Sequence, residues 1–296
     1  MNRRTFAQVA ATALTLAPGR SEAASTSGMR LGLITQLRKD PDAAIRKVHD
    51  FGIPTCQVSV SSFGPEVVSG LLTALKRYQI EATSVVAGGP GPEIYDFYRG
   101  PETIGLVPRQ FRDARIAHLK QASDFAKQCG IPGLQSHCGF LPENPNNPIY
   151  KEAVEAIREV ASYCRKNGQS FRCETGQETP ITLLRALKDV NVDNIGVNFD
   201  AANLILYGKA DPVDAVDVLA PYIQGVHAKD GLYPTNPKDL GKEVPIGQGK
   251  VNFPAFIQRL KDAGYHGPLT IEREISGEKQ AADIRQAKAY LEKLIG

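Results

Sequence analysis

The chain has 296 residues, 42% hydrophobic and 23% charged, with a net charge of +3 from 35 basic and 32 acidic side chains. This balance excludes a disordered chain, and so small and dispersed a charge points away from nucleic acid as a partner. No segment holds the roughly 18 uninterrupted apolar residues of a membrane span.

The first feature along the chain is a leader. Arg3 and Arg4 precede Phe6, a mild apolar run reaches Ala17, and Pro18-Gly19-Arg20 is followed by Ser21-Glu22-Ala23. A basic pair, an apolar run and small residues in that order are the parts of a signal peptide cut near Ala23. The paired arginines with Phe two positions later resemble a twin-arginine export signal, although Asn2 and Ala7-Gln8 depart from the usual residues. The expectation is an exported, periplasmic protein with no membrane anchor once cleaved. Residues 1–28 are read as leader and short linker, and 29–296 as a single catalytic domain. Cleavage removes Arg3, Arg4, Arg20 and Glu22, so most of the net charge belongs to the leader. The five cysteines are odd in number and contain no C-x-x-C pair, which favours buried thiols over a disulfide framework or a zinc knuckle.

From residue 31 onward, short apolar or β-branched runs alternate with stretches of helical period. Strands are expected at 31–34, 55–60, 82–87, 134–138, 170–174, 195–200, 223–227 and 269–272. Helices are expected to begin near Asp42, Glu66, Arg109, Asn147, Pro180, Asp211, Asn252 and Glu278, several with Pro, Asp or Asn at the start. Eight strict βα units in about 270 residues predict a (β/α)8 TIM barrel, a parallel eight-stranded barrel with helices outside. The open doubly wound sheet is the alternative, but the turn after the first strand lacks the G-x-G-x-x-G it would carry. The long connections, 88–108, 139–146 and 231–251, all follow strands. They therefore gather at the C-terminal face, where barrel enzymes keep their active sites.

Side chains alternate along a strand. Because Phe171, Cys173, Val197, Phe199, Val226, Leu269 and Ile271 suit the helix-facing layer, Arg172, Glu174, Asn198, Asp200, His227, Lys229, Thr270 and Glu272 fall on the inward parity. Three converging carboxylates repel one another, and a divalent ion removes that conflict. Glu174, Asp200, His227 and Glu272 form an oxygen-rich set with one nitrogen, suited to a single Mn²⁺ first, with Mg²⁺, Co²⁺ or Zn²⁺ also compatible. The alternative is four separate ion pairs. His137, inward at the end of the fourth strand, and Lys229 are candidate substrate contacts; the alternatives are a structural hydrogen bond for His137 and a pair with Glu174 for Lys229. Asp230 is a candidate to orient His227 and Arg172 to support Glu174, while Glu274 is a rival metal ligand. His49, His118 and His266 fall on the far face.

The segments Arg172-Cys173-Glu174-Thr175-Gly176, Val197-Asn198-Phe199-Asp200, Val226-His227-Ala228-Lys229-Asp230-Gly231 and Thr270-Ile271-Glu272-Arg273-Glu274 resemble those of the xylose isomerase-like TIM-barrel superfamily of sugar isomerases and epimerases. The resemblance implies that Glu174, Asp200, His227 and Glu272 hold one Mn²⁺-type ion and that Glu174 and Glu272 exchange the substrate proton. It also implies a substrate contact at Asn203, where ketose 3-epimerases carry His; their later Arg is replaced by Tyr233. The expected activity is isomerisation or epimerisation of a non-phosphorylated ketose or keto-sugar through a metal-stabilised enediolate. The alternatives are a lyase or dehydratase acting on a 3-keto-glycoside and a non-catalytic sugar-binding protein. The expected partner is a small carbohydrate, with room for a homo-oligomer. The trinuclear zinc chemistry of apurinic endonucleases is excluded by too few histidines.

Overall fold

A computed structural model describes residues 28–37 and 40–296; the expected export signal lies outside the described residues. Eight parallel strands close into a barrel: β1 (Arg30–Leu37), β2 (Thr55–Val60), β3 (Glu81–Val86), β4 (Gly133–His137), β5 (Ser170–Glu174), β6 (Ile195–Asp200), β7 (Ile223–Ala228) and, last in the chain, β10 (Pro268–Ile271), which pairs with both β7 and β1. Between β7 and β10 lies a small antiparallel ribbon, β8 (Asp230–Leu232) with β9 (Lys242–Val244). All eight expected strands are present within one residue of their expected starts.

The helices begin where the sequence marks them. Asp40, Asn147, Thr179 and Asp211 each accept a backbone N–H of the first turn, ahead of Pro41, Pro148, Pro180 and Pro212. A capping oxygen and a preset φ at the first helical residue together stabilise such starts by about 1 kcal/mol. The outward strand residues Leu134, Phe171, Val197, Phe199, Val226 and Leu269 are fully buried against helix residues such as Phe125, Val160, Phe256 and Leu291. This layer between barrel and helices is the hydrophobic core, with burial contributing about 1.5–3 kcal/mol per large side chain.

Inside the barrel the chemistry differs. Branched apolar residues fill the interior of many barrels; here Thr55, Gln57, Gln135, Asn198 and Thr270 are fully buried and Arg172 nearly so. A long loop at the C-terminal face is pinned by one charged side chain. Arg115, 1% exposed, donates to the carbonyls of Pro90, Pro92 and Gly105 and ties down the 88–108 loop. Where this loop meets the start of the next one, Gly105 and Gly139 have positive φ, and a Cβ on either would stand 2.3 Å from the other segment's backbone. Both positions therefore require glycine.

Candidate active site

The metal-ligand quartet expected from strand parity comes together. One ligand atom from each of Glu174, Asp200, His227 and Glu272 lies within 4.8 Å of all the others. Their strands, β5, β6, β7 and β10, are consecutive in the barrel. His227 Nδ1 stands at the centre, 3.1 Å from Glu174 Oε1, 3.2 Å from Glu272 Oε2 and 3.6 Å from Asp200 Oδ2. Asp200 is held from behind. Its Oδ1 accepts the N–H of Asn203 and caps α7 (Ala201–Leu206), while Thr175 Oγ1 bonds both its N–H and its carbonyl.

The other imidazole nitrogen bears on the tautomer. His227 Nε2 is 2.7 Å from Gln57 Oε1, and Gln57 Nε2 donates to Asn198 Oδ1. Gln57 Oε1 is the nearer neighbour of Nε2, ahead of Gln135 Nε2 at 3.2 Å, and so favours the Nε2–H tautomer, which leaves Nδ1 to present a lone pair when the ring is neutral. Gln135 Nε2 donates to the same Gln57 oxygen at 3.0 Å. This buried amide chain orients the histidine. It was not singled out in the sequence, although Gln57 and Gln135 sit on the inward parity of β2 and β4.

The site fits a divalent cation. Asp200 Oδ2, Glu272 Oε2 and His227 Nδ1 are buried and have no hydrogen-bond partner, an expensive arrangement unless a ligand completes it. Charge gives the same answer. The three quartet carboxylates and Glu274 face one ammonium, Lys229, whose Nζ lies 2.8 Å from Glu274, 3.3 Å from Glu272 and 3.6 Å from Asp200; a dication with neutral His227 offsets most of the excess negative charge. Burial would raise Glu272, but the Lys229 and His227 charges outweigh it and hold its carboxyl well below the usual range. Burial raises Asp200, with Lys229 and His227 only partly opposing it. For His227, burial works against protonation, yet the Glu272 and Glu174 carboxylates push it well above its ordinary value. Without metal, a proton on Nδ1 thus stands where the ion would be.

Of the quartet, Glu174 and Glu272 line a cavity of about 1200 Å³ at the C-terminal mouth, together with His137, Tyr95, Glu274 and Arg273. Asp200 and His227 are fully buried. His137 is placed as expected, facing the cavity with Nε2 3.9 Å from Glu174 Oε1. Tyr95, from the 88–108 loop, packs edge-on against the His137 ring at 5.7 Å and is 48% exposed. No periodic pattern marks a loop residue, so the sequence carries no signal for Tyr95.

The other candidate residues have partners of their own. Lys229 is locked between carboxylates, 2.8 Å from Glu274 Oε1 as well as beside Asp200 and Glu272, and is 2% exposed. Asn203, expected at the substrate, is 6% exposed and its Oδ1 accepts from Lys229 at 3.3 Å. Asp230 does not orient His227. Its carboxylate accepts the backbone N–H groups of Gly231, Gly247, Gly249 and Val251 and orders the loop after β9. Arg172 lies one inward position below Glu174, bonded to Ser170 Oγ. Glu274, 58% exposed, stands outside the quartet.

The fold is a closed βα barrel with three carboxylates and one histidine, a set able to hold a metal ion, gathered at the C-terminal ends of adjacent strands. The chain belongs to the xylose isomerase-like TIM barrel family, whose model matches residues 45–294. It is similar to the crystal structure of a xylose isomerase domain protein from Planctomyces limnophilus, with TM-score 0.85 and 34% identity over 90% of this chain and 97% of that one. It is 24% identical over 195 residues to a putative L-ribulose-5-phosphate 3-epimerase of Shigella dysenteriae, covering 64% of this chain and 66% of that protein. It is 29% identical over 136 residues to 3-dehydroshikimate dehydratase of Bacillus anthracis, covering 40% of this chain and 48% of that protein.

Proposed function

We propose that this protein is a divalent-metal-dependent isomerase or epimerase of a non-phosphorylated ketose or keto-sugar, with Mn²⁺ as the first choice of ion. Glu174, Asp200, His227 and Glu272 hold the ion. When bound, it supplies Lewis acidity to a substrate carbonyl and its neighbouring hydroxyl, acidifying the C–H between them. The observation that carries the reading is the division within the quartet: two carboxylates open to the cavity, while the aspartate and histidine are sealed behind them. Glu174 and Glu272 flank the position of a substrate carbon from strands separated by β6 and β7. One removes the proton and the other returns it. Return to the opposite face of the same carbon epimerises; return at the neighbouring carbon interconverts aldose and ketose. His137 and Tyr95 contact the sugar beside Glu174.

Loss of a β-substituent after the same proton abstraction gives a dehydratase or lyase on a 3-keto-glycoside, a second reading favoured by the likeness to a dehydratase. Export, resting on residues 1–23, is part of the proposal and fits a phosphate-free substrate. Metal-loaded protein incubated in D₂O with ketoses and 3-keto-glycosides, followed by NMR, separates the readings. Deuterium at the carbon next to the carbonyl without elimination supports the isomerase or epimerase, and an unsaturated product supports the lyase. No exchange with any added divalent ion would sink both.

A further inference from the structure

The opposite end of the barrel interior carries a charge that nothing above employs. Arg172 is 7% exposed, and its Nη1 is buried without a hydrogen-bond partner. Its bond to Ser170 Oγ uses one of five N–H donors, and among the described residues no carboxylate forms an ion pair with it. A buried guanidinium without a counter-charge is costly.

The space around it is kept open. A Cβ on Gly133 would stand 2.7 Å from Arg172 Nη2, and a Cβ on Gly225 would stand 3.3 Å from Nη1 and 2.6 Å from Asn198 Oδ1. Below the guanidinium, a cavity of about 420 Å³ opens at the N-terminal mouth of the barrel, lined by Arg172, Gln224, Tyr265, His266, Gly264 and Gly267 among others. No lining residue is acidic. The Tyr265 hydroxyl already donates to the Pro268 carbonyl, so Arg172, Gln224 and the exposed His266 are the polar side chains with capacity to spare.

We propose that this mouth is a second, non-catalytic binding site, in which Arg172 takes a small oxyanion such as inorganic phosphate or a simple carboxylate. A planar guanidinium matches the two oxygens of either ligand in a bidentate pair. The bound anion supplies the counter-charge the chain lacks, and it stabilises the folded barrel because the unfolded chain has no such cavity. The inference is independent of the metal chemistry at the other face.

The test is thermal unfolding of the mature protein in phosphate or acetate against chloride at matched ionic strength, with ³¹P line broadening as a direct readout. The wild type should show a saturable rise in Tm, about 5 °C at a hundredfold excess over Kd, and the oxyanion with the lower midpoint names the class. Gln224→Glu places a carboxylate in the same mouth; it should raise Tm in chloride alone and flatten the anion response. Arg172→Gln should lose that response. Absence of a saturable rise in either anion, or an undiminished response in Gln224→Glu, would overturn the proposal whether or not Arg172→Gln folds.

Discussion

The two ends of the barrel interior carry opposite unbalanced charge. At the C-terminal end, three quartet carboxylates meet one buried lysine, and at the N-terminal end one arginine meets no carboxylate. The neutral amides of Gln57, Gln135 and Asn198 lie between, with Gln57 bridging His227 and Asn198. In an apolar barrel core the ends would be electrically silent. On the readings proposed above each end takes an exogenous ion of opposite sign, with the amide layer between them. The more heavily charged end also opens into the larger of the two cavities.

The sharpest way to break this contrast is at the C-terminal end. Glu174→Gln and Glu272→Gln should each lower solvent-proton exchange by at least 10²–10⁴-fold, the usual worth of a positioned acid or base, with the fold retained by circular dichroism. Full exchange in either variant contradicts the two-carboxylate assignment.

Metal removal should come next in size. Chelation should lower Tm, and re-addition of Mn²⁺ at a hundredfold excess over Kd should restore about 2.7 kcal/mol. Because the metal-free state holds a proton on His227, raised well above its ordinary range, binding should release protons and tighten as pH rises. An affinity that is flat or weaker at higher pH, measured by calorimetry in two buffers, would contradict that competition.

Severing the amide link tests whether the middle of the barrel serves the upper end. Gln57→Leu removes the acceptor that favours the Nε2–H tautomer of His227 and should weaken metal binding about 10–100-fold, read by equilibrium dialysis, with the carboxylate ligands intact. A pH-dependent effect on stability is expected beside the site. Burial raises the Glu178 carboxyl to about 8, so the folded state keeps a proton there that the unfolded chain releases at ordinary acid pH. Its stability penalty is absent in acid and grows as pH climbs toward 8. Glu178→Gln should therefore raise Tm near pH 8 and leave it nearly unchanged near pH 4; a gain confined to acid would reverse the sign.

The quartet was legible because strand alternation is a local rule. Apolar neighbours such as Phe171, Cys173 and Phe199 determine which way Glu174 and Asp200 point, whatever the rest of the chain does. The partners of Asp230 and Lys229 were not legible, for the complementary reason. Parity gives the face of a side chain and not its partner, and their partners, Gly249 and Glu274, stand 19 and 45 residues away. The helix α7 was also missed. It follows β6 without a loop, because Asp200 is at once the last strand residue, the helix cap and a ligand candidate.

The sequence by itself determined the eightfold βα alternation, the face that carries the long loops and the inward direction of four ionisable side chains. All three follow from backbone periodicity and from caps a few residues away. Only the tertiary structure decided that these four converge within one coordination shell while Arg172 stands alone below. Barrel closure brings β10 beside β7 and β1, and which charges then meet or miss one another depends on strand stagger across the barrel, which no local pattern encodes.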